Sequence, residues 1–330
     1  MRGWRPPIFL SDTAVRNLLN VPDALTAVHK AFVDLHHGTA RTPEPPMYWL
    51  KHSDGVMGSF FSKACYLEEE GVFGFRAVGT TKDLETLQYL SGSTRFITLV
   101  DARHGHPLAV IDEHYAYAVR TGAAAVVAAQ SLAAPNASQV ALIGAGRMQG
   151  PTLEGLAHAF NLSEVRVYAR RPDPREAFAS TYSEQIGVPV VPVASVGEAC
   201  EGAEIIITAT TADAPLVMQD DVAPGCFIYA MGLAQELDDA VVLGADKLFV
   251  DQWDLCLKMS DVSRLVAQNK ISRDTIDGEL PAVIAGALPG RSSEHEVIIV
   301  RSEGLVAHDI AIAHHVYQRA RELGIGLVLE

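Results

Sequence analysis

Val140-Ala141-Leu142-Ile143-Gly144-Ala145-Gly146-Arg147-Met148-Gln149-Gly150 decides the fold. Four apolar, β-branched-rich residues run into a glycine turn, and an apolar helical pattern follows. A parallel strand opening directly into a helix through Gly-x-Gly is how a dinucleotide pyrophosphate is seated. The glycines let the backbone approach the phosphates, and the helix N-terminus presents unpaired amides to them. The usual third glycine position holds Gln149, with Gly150 one residue later. Strand, turn and helix context agree, so the stretch reads as a dinucleotide-binding turn rather than a structural one.

Downstream, short apolar runs alternate with helical stretches: Val165–Tyr168, Val188–Val191, Ile205–Thr208, Phe227–Ala230, Leu248–Val250 and Val297–Val300. That alternation predicts a parallel sheet covered on both faces. The second run ends Tyr168-Ala169-Arg170-Arg171, and Arg170 lies 170 − 144 = 26 residues after the first glycine. NAD sites place an acid near this point for the ribose 2′-hydroxyl. Ala169 and two arginines suit a 2′-phosphate instead, so NADP(H) is the favoured cofactor, with NAD(H) as the alternative. Thr208-Ala209-Thr210-Thr211 and Ala230-Met231-Gly232-Leu233 close two further strands at the same edge. The residues expected to hold the cofactor are Thr121, Gly144, Gly146, Arg147, Met148, Ala169, Arg170, Arg171, Thr208, Thr210, Met231, Gly232 and Ser302.

Upstream the pattern differs. Val21-Pro22-Asp23 starts a helix that Gly38 stops. A Pro-rich link, Thr42–Pro46, precedes strand-like runs at Val72–Val78 and Arg95–Val100. A turn at Asp101–Pro107 leads into Leu108–Ile111. The first ~115 residues therefore read as a helix plus a mostly antiparallel sheet. Tyr115–Ala134 is an Ala-rich helix, apolar all round, whose one charge, Arg120, needs a partner. His308–Leu323 is a final helix able to pack back on the first domain.

Composition narrows the function. The chain has 330 residues, too many for one small core, so two domains are expected. Hydrophobic residues at 48% exclude a disordered chain. With 26 Lys and Arg against 40 Asp and Glu, the net charge of −14 opposes nucleic-acid and anionic-membrane binding. Cys65, Cys200, Cys226 and Cys256 form no CxxC pair, which argues against zinc and for reduced thiols in a cytoplasmic protein. Neither a signal peptide nor a membrane span is expected. His104 and His106 occupy a turn without a nearby acidic partner, so no metal site is expected. Ser62 and Ser302 lack a His/Asp relay, which makes a hydrolase improbable.

Several segments resemble the ornithine cyclodeaminase/μ-crystallin family: Tyr117–Ala124, the turn Val140–Gly150, Ile284–Arg291, Ser302–Asp309 and Gly324-Ile325-Gly326. The resemblance implies a Rossmann-type parallel-sheet domain, residues 116–304, inserted into a smaller α+β substrate-binding and dimerisation domain, residues 1–115 plus 305–330. It also implies a homodimer acting on a small imino-acid or amino-acid substrate. Arg120 matches the family arginine that holds a substrate carboxylate, and Arg76, in Gly74-Phe75-Arg76, stands where the family has lysine. Arginine still clamps a carboxylate but is a poor proton donor. A further family arginine meets Met47 here, with Arg41 nearby. After Gly232 the chain lacks the aspartate of the cyclodeaminase loop, running directly to Glu236-Leu237. Lys63 and Lys82 are the two lysines that could supply the missing ammonium. The expected activity is NADP(H)-dependent reduction of a 2-imino acid, or amino-acid dehydrogenation, with hydride transfer at C=N. The alternatives are an NAD-dependent cyclodeaminase and a non-catalytic NADPH-binding, crystallin-like protein.

Overall fold

A computed structural model describes residues 5–44, 47–51, 56–83, 85, 89–90, 95–212, 214–232, 235–257 and 260–330, with the backbone alone for 47–50, 56–61, 80–83, 89–90 and 95. The chain divides into two compact units, Met1–Arg120 with Val306–Glu330, and Thr121–Leu305.

The inner unit, Thr121–Leu305, carries an eight-stranded sheet among the described residues, with every neighbouring pair parallel. Its first strand, Gln139–Ile143, lies between Glu164–Tyr168 and Ile205–Thr208. The sheet order therefore reverses at Gln139–Ile143, and in such sheets the ligand crevice lies outside the carboxyl ends at that reversal. The central strands are buried along their full length, as helices on both faces require. Val190–Val193 is the edge strand, consistent with Pro192 having no N–H to donate.

The outer unit is a sheet of nine described strands. Its body is antiparallel: Val56–Leu67, Val72–Asp83, Arg95–Asp101 and Pro107–Asp112 in order. Two elements escaped the sequence reading. Ile8–Leu10 pairs in parallel with Pro107–Asp112, and Leu327–Val328 is added beyond it. Both are too short to show a period. The helix Asp12–Leu18, capped by Ser11, was also unread. Val21–His37 forms the expected helix, with Gly38 in the left-handed conformation at its end. On the sheet, Gly74, Arg76 and Val78 alternate inward with Ile97, Leu99, Ala109 and Ile111. The helix Val306–Leu323 packs on this inner face, close enough that a Cβ on Gly74 would meet Ile310 at 2.7 Å.

Two smaller expectations change. His104 does have an acidic neighbour, Asp101, 3.2 Å from its Nδ1, and the pair caps the exposed turn. Arg41 is tied to Glu68 and to the Gly38 carbonyl, so it is committed to a surface contact. Among the described residues no group of His, Cys, Asp and Glu could hold a metal ion, and no helix is long and apolar enough to cross a membrane.

Candidate functional site

The candidate nucleotide cradle lies in the unit Thr121–Leu305. At Gly144 the chain turns with φ +111°, a region that L side chains rarely adopt, and a Cβ there would sit 2.6 Å from the Ala209 carbonyl. The turn is pinned from both flanks: the Gly144 amide donates to the Tyr168 carbonyl at 2.7 Å, and the Ala209 amide to the Ile143 carbonyl at 3.0 Å. Gly146 faces open space, with nothing within 4 Å of the position its Cβ would take. The helix Gln149–Ala159 then begins at Met148 without a side-chain cap. A bare backbone turn with an uncapped helix start fits a pyrophosphate.

The displaced third glycine has a structural explanation. Gln149 is fully buried, and its Nε2 donates to the Ile143 and Ile207 carbonyls, bridging two strand ends. Gly150 instead allows close helix packing, because a Cβ there would collide with the Tyr182 hydroxyl.

Ala169, Arg170 and Arg171 follow the second strand, with both arginines exposed, and the helix Pro172–Ile186 starts immediately after. The sequence reading missed Arg175. The helix start at Pro172 turns it back toward the strand end, where its Nη1 donates to the Ala169 carbonyl at 3.4 Å. Its Nε is buried without a partner among the described residues. Three guanidinium groups thus come from one strand end and one helix start.

Thr208, Thr210 and Gly232 are brought together by a carboxylate. Glu236 is fully buried, and its Oε2 accepts from the Thr208 hydroxyl at 2.6 Å and from the Gly232 amide at 2.7 Å. Its Oε1 accepts from the Thr210 amide at 2.7 Å. Arg301 backs the knot, donating to the Gly232 carbonyl. Met231 bonds through its amide to the Thr208 carbonyl. Ser302 donates its hydroxyl to Asp251. The Thr208 and Ser302 hydroxyls thus donate their protons within the protein. Arg147 is exposed in the turn, and Thr121 is half-buried on the helix His114–Leu132.

The outer unit holds a buried charge cluster. Asp309, on the helix Val306–Leu323, accepts from Arg120 Nε at 2.8 Å and from Arg76 Nη1 at 3.2 Å. Arg76 Nη2 donates to Glu113 Oε1 at 2.7 Å. All four residues are at most 4% exposed. Burial raises the Asp309 carboxyl, but the Arg120 and Arg76 guanidiniums outweigh it and hold the group below the usual carboxylate range. For Glu113 burial prevails over Arg76, and the carboxyl is raised. Both guanidiniums stack on the Tyr117 ring, Arg76 at 4.9 Å and Arg120 at 4.4 Å from its centroid. Glu113 went unread because it stands alone at the junction of strand and helix.

Both arginines of the expected carboxylate clamp lie in this cluster. Arg76 donates through Nη2 to Glu113 and through Nη1 to Asp309, which ties the cluster together. Arg120 is held to Asp309 through Nε. Lys63 stands directly across the strand pair from Arg76, on the same face. Lys82 pairs by backbone with Met57 and Tyr89; its side chain, like that of Met47, lies outside the described residues. His308 is fully buried against Phe32, 4.2 Å between centroids, and burial together with Arg120 pushes its imidazole down to about 3. The ring is therefore neutral at physiological pH.

The chain is similar to the Thermococcus litoralis Δ1-pyrroline-2-carboxylate reductase, whose structure is a complex with NADH and L-proline, at 28% identity and TM-score 0.90, covering 98% of this chain and 100% of that one. It is equally similar to an archaeal alanine dehydrogenase dimer with bound NAD, at 28% identity and TM-score 0.88, over 99% of each chain. Ketimine reductase mu-crystallin of Mus musculus is 34% identical over 226 residues, 67% of this chain and 68% of the relative. With the family profile matching residues 6–324, the chain belongs to the ornithine cyclodeaminase/mu-crystallin family.

Proposed function

We propose that this chain is an NADP(H)-dependent oxidoreductase that reduces the C=N bond of a 2-imino acid to an amino acid, or runs the reverse dehydrogenation. The observation that carries the reading is the Arg120 guanidinium, buried and oriented through Nε by Asp309. A substrate carboxylate matches it bidentately. NADP(H), when bound, supplies or accepts the hydride. Gly144, Gly146, Arg147 and Met148 would hold its pyrophosphate, and Thr121, Thr210, Met231 and Gly232 would line the rest of its site. Arg170, Arg171 and Arg175 would hold the 2′-phosphate. Arg120 fixes the carboxylate, and Arg76 and Glu113 keep Asp309 in place. Fixing a reacting group in this way contributes up to ~7–11 kcal/mol where alignment is good.

Support for a homodimer lies on the outer face of the sheet. Phe9, Phe73, Phe75, Phe96, Leu108 and Val110 share that face and keep part of their surface exposed, while the helix Val306–Leu323 covers the other face. Contiguous apolar surface of this kind suits a second copy. The four cysteines are buried and unpaired, which suits a cytoplasmic protein.

The test is a panel of 1-pyrroline-2-carboxylate, 1-piperideine-2-carboxylate and pyruvate with ammonia or methylamine, followed by NADPH absorbance. At least one should oxidise NADPH, and L-ornithine with catalytic NAD⁺ should release no ammonia. Silence across the panel, or ammonia from ornithine without net cofactor turnover, defeats the reading. Cofactor choice gives a separate prediction. NADPH is expected to exceed NADH in kcat/KM by at least ~10-fold, about 1.4 kcal/mol, and Arg170→Asp should reverse the order. Equal kcat/KM values in the unaltered protein would contradict it.

A further inference from the structure

We propose that Asp251 sets the sense of one cofactor contact: it takes the Ser302 proton, so the Ser302 oxygen accepts from the carboxamide NH₂ and the site selects a nicotinamide that carries an N–H donor. The inference rests on the dinucleotide reading above and deepens it.

The strands Ile205–Thr208, Phe227–Ala230 and Ile298–Arg301 are parallel neighbours, on the opposite side of Gln139–Ile143 from Glu164–Tyr168. A dinucleotide lies across the carboxyl ends where the strand order reverses, one half to each side. Arg170 and Arg171 follow Glu164–Tyr168 and mark the adenosine side. The ends of the other three strands then fall to the nicotinamide half, and Ser302 follows the third of them.

Asp251 follows the next strand, Lys247–Val250, and is 1% exposed. Its Oδ2 accepts from the Ser302 hydroxyl at 2.9 Å, the Glu303 amide at 2.8 Å and the Gly304 amide at 2.6 Å. Its Oδ1 accepts from the Gln252 amide at 2.8 Å and from the Cys256 thiol, which fixes the carboxylate plane. The Ser302 amide donates to the Ala230 carbonyl at 3.0 Å. The amides and the hydroxyl of Ser302–Gly304 are thus all engaged as donors. A carboxylate accepts only, so a hydroxyl bonded to it has its proton committed and meets a further partner through a lone pair. A ligand N–H matches the Ser302 oxygen, whereas a ligand carbonyl or methyl does not. A carboxamide carries both an NH₂ and an oxygen, and its NH₂ is the group that fits. Asp251 acts through Ser302 and is a positioning residue.

Calorimetric titration of the full-length protein with NADP⁺ and two analogues reads the sense of the bond. The 3-acetylpyridine analogue replaces the NH₂ by a methyl and keeps the oxygen. The thionicotinamide analogue keeps the NH₂ and replaces the oxygen by sulfur. Should NAD⁺ bind the tighter, the same series is read in the NAD form. The thio analogue is expected within about three-fold of the parent cofactor, and the acetylpyridine analogue about ten-fold or more weaker, the size of one unmatched hydrogen bond. Ser302→Ala removes the acceptor, so it should weaken the parent about ten-fold and the acetylpyridine analogue by less than about two-fold, closing the ratio. Asp251→Ala unties the Ser302 proton and should close the same ratio by favouring the acetylpyridine analogue. The matching ADP-ribose, which lacks the nicotinamide, should bind each variant within about two-fold of the unaltered protein, as evidence of folding. If Asp251→Ala fails that check, the analogue series and Ser302→Ala still decide. An acetylpyridine analogue that binds as well as the parent, a thio analogue weakened more than it, or a ratio unchanged in Ser302→Ala overturns the proposal and leaves the dinucleotide reading intact. Failure of NADP⁺, NAD⁺ and both ADP-riboses to bind defeats the two together.

Discussion

Replacing Asp309 with asparagine is expected to lower kcat/KM for the imino acid by roughly 100- to 1000-fold, about 3–4 kcal/mol, while NADPH affinity stays within a few-fold. The carboxylate is 3% exposed and is shared by two guanidiniums at 2.8 and 3.2 Å. Taking its charge away leaves Arg76 and Arg120 with Glu113 alone, a net 2 − 1 = +1 in a buried site. Removing one partner of a buried ion pair costs ~3–5 kcal/mol because the remaining charge stays desolvated. Asparagine keeps one oxygen acceptor for two guanidiniums and turns an NH₂ toward the other, so the Arg120 plane loses its charge-assisted anchor and presents its fork in several orientations.

Stability should follow a matching pH signature. Asp309 is held below its ordinary range in the folded chain, so its contribution is present above the unfolded value near ~4 and is lost as pH falls through the folded one. The Asp309→Asn variant should lack that share of the acid loss. Thermal melts at several pH values, read beside NADPH titrations and kinetics, decide the matter. Unchanged melting and kcat/KM would show that the cluster does not depend on this carboxylate.

How far the sequence reveals such groups depends on sequence distance. The turn at Gly144 is legible because strand, glycines and helix start lie within one short stretch, and spacing alone carries the geometry. The role of Gly150 is not, because Tyr182, the residue it clears, belongs to the next helix. Arg120 announces a need for an anion by being the lone charge in an apolar helix. Its partner, Asp309, lies 189 residues away, and only the fold brings the two together. Arg76 is legible as a cation on the inner face of a strand. That it is tied to two carboxylates depends on Asp309 and on Glu113, a residue with no periodic signal. The resemblance named the segments around Arg120 and Asp309 without giving the contact between them.

The second large effect is expected at Glu236. Glu236→Ala should weaken NADPH binding by ~30- to 100-fold, about 2–2.7 kcal/mol, with the charge cluster of the other unit untouched. Its carboxylate closes the ends of two neighbouring strands, taking the Thr208 hydroxyl and the Gly232 amide on one oxygen and the Thr210 amide on the other. Gly232 has to be glycine here, because a Cβ would run into that carboxylate. Each buried donor left without an acceptor costs ~1–3 kcal/mol, and the loops can avoid that cost only by opening toward water. Opening displaces Thr210, Met231 and Gly232, the residues that would line the cofactor site. Glu236→Gln keeps one oxygen acceptor and places an NH₂ where the other stood, facing donors, so its loss should be intermediate. Glu236→Asp keeps the charge but falls one methylene short of three partners. Fluorescence titration of NADPH against the three variants orders them, Gln being milder than Ala. If Glu236→Ala binds NADPH within two-fold of the unaltered protein, the strand ends are held by their backbone alone and the carboxylate has no part in shaping the cofactor site.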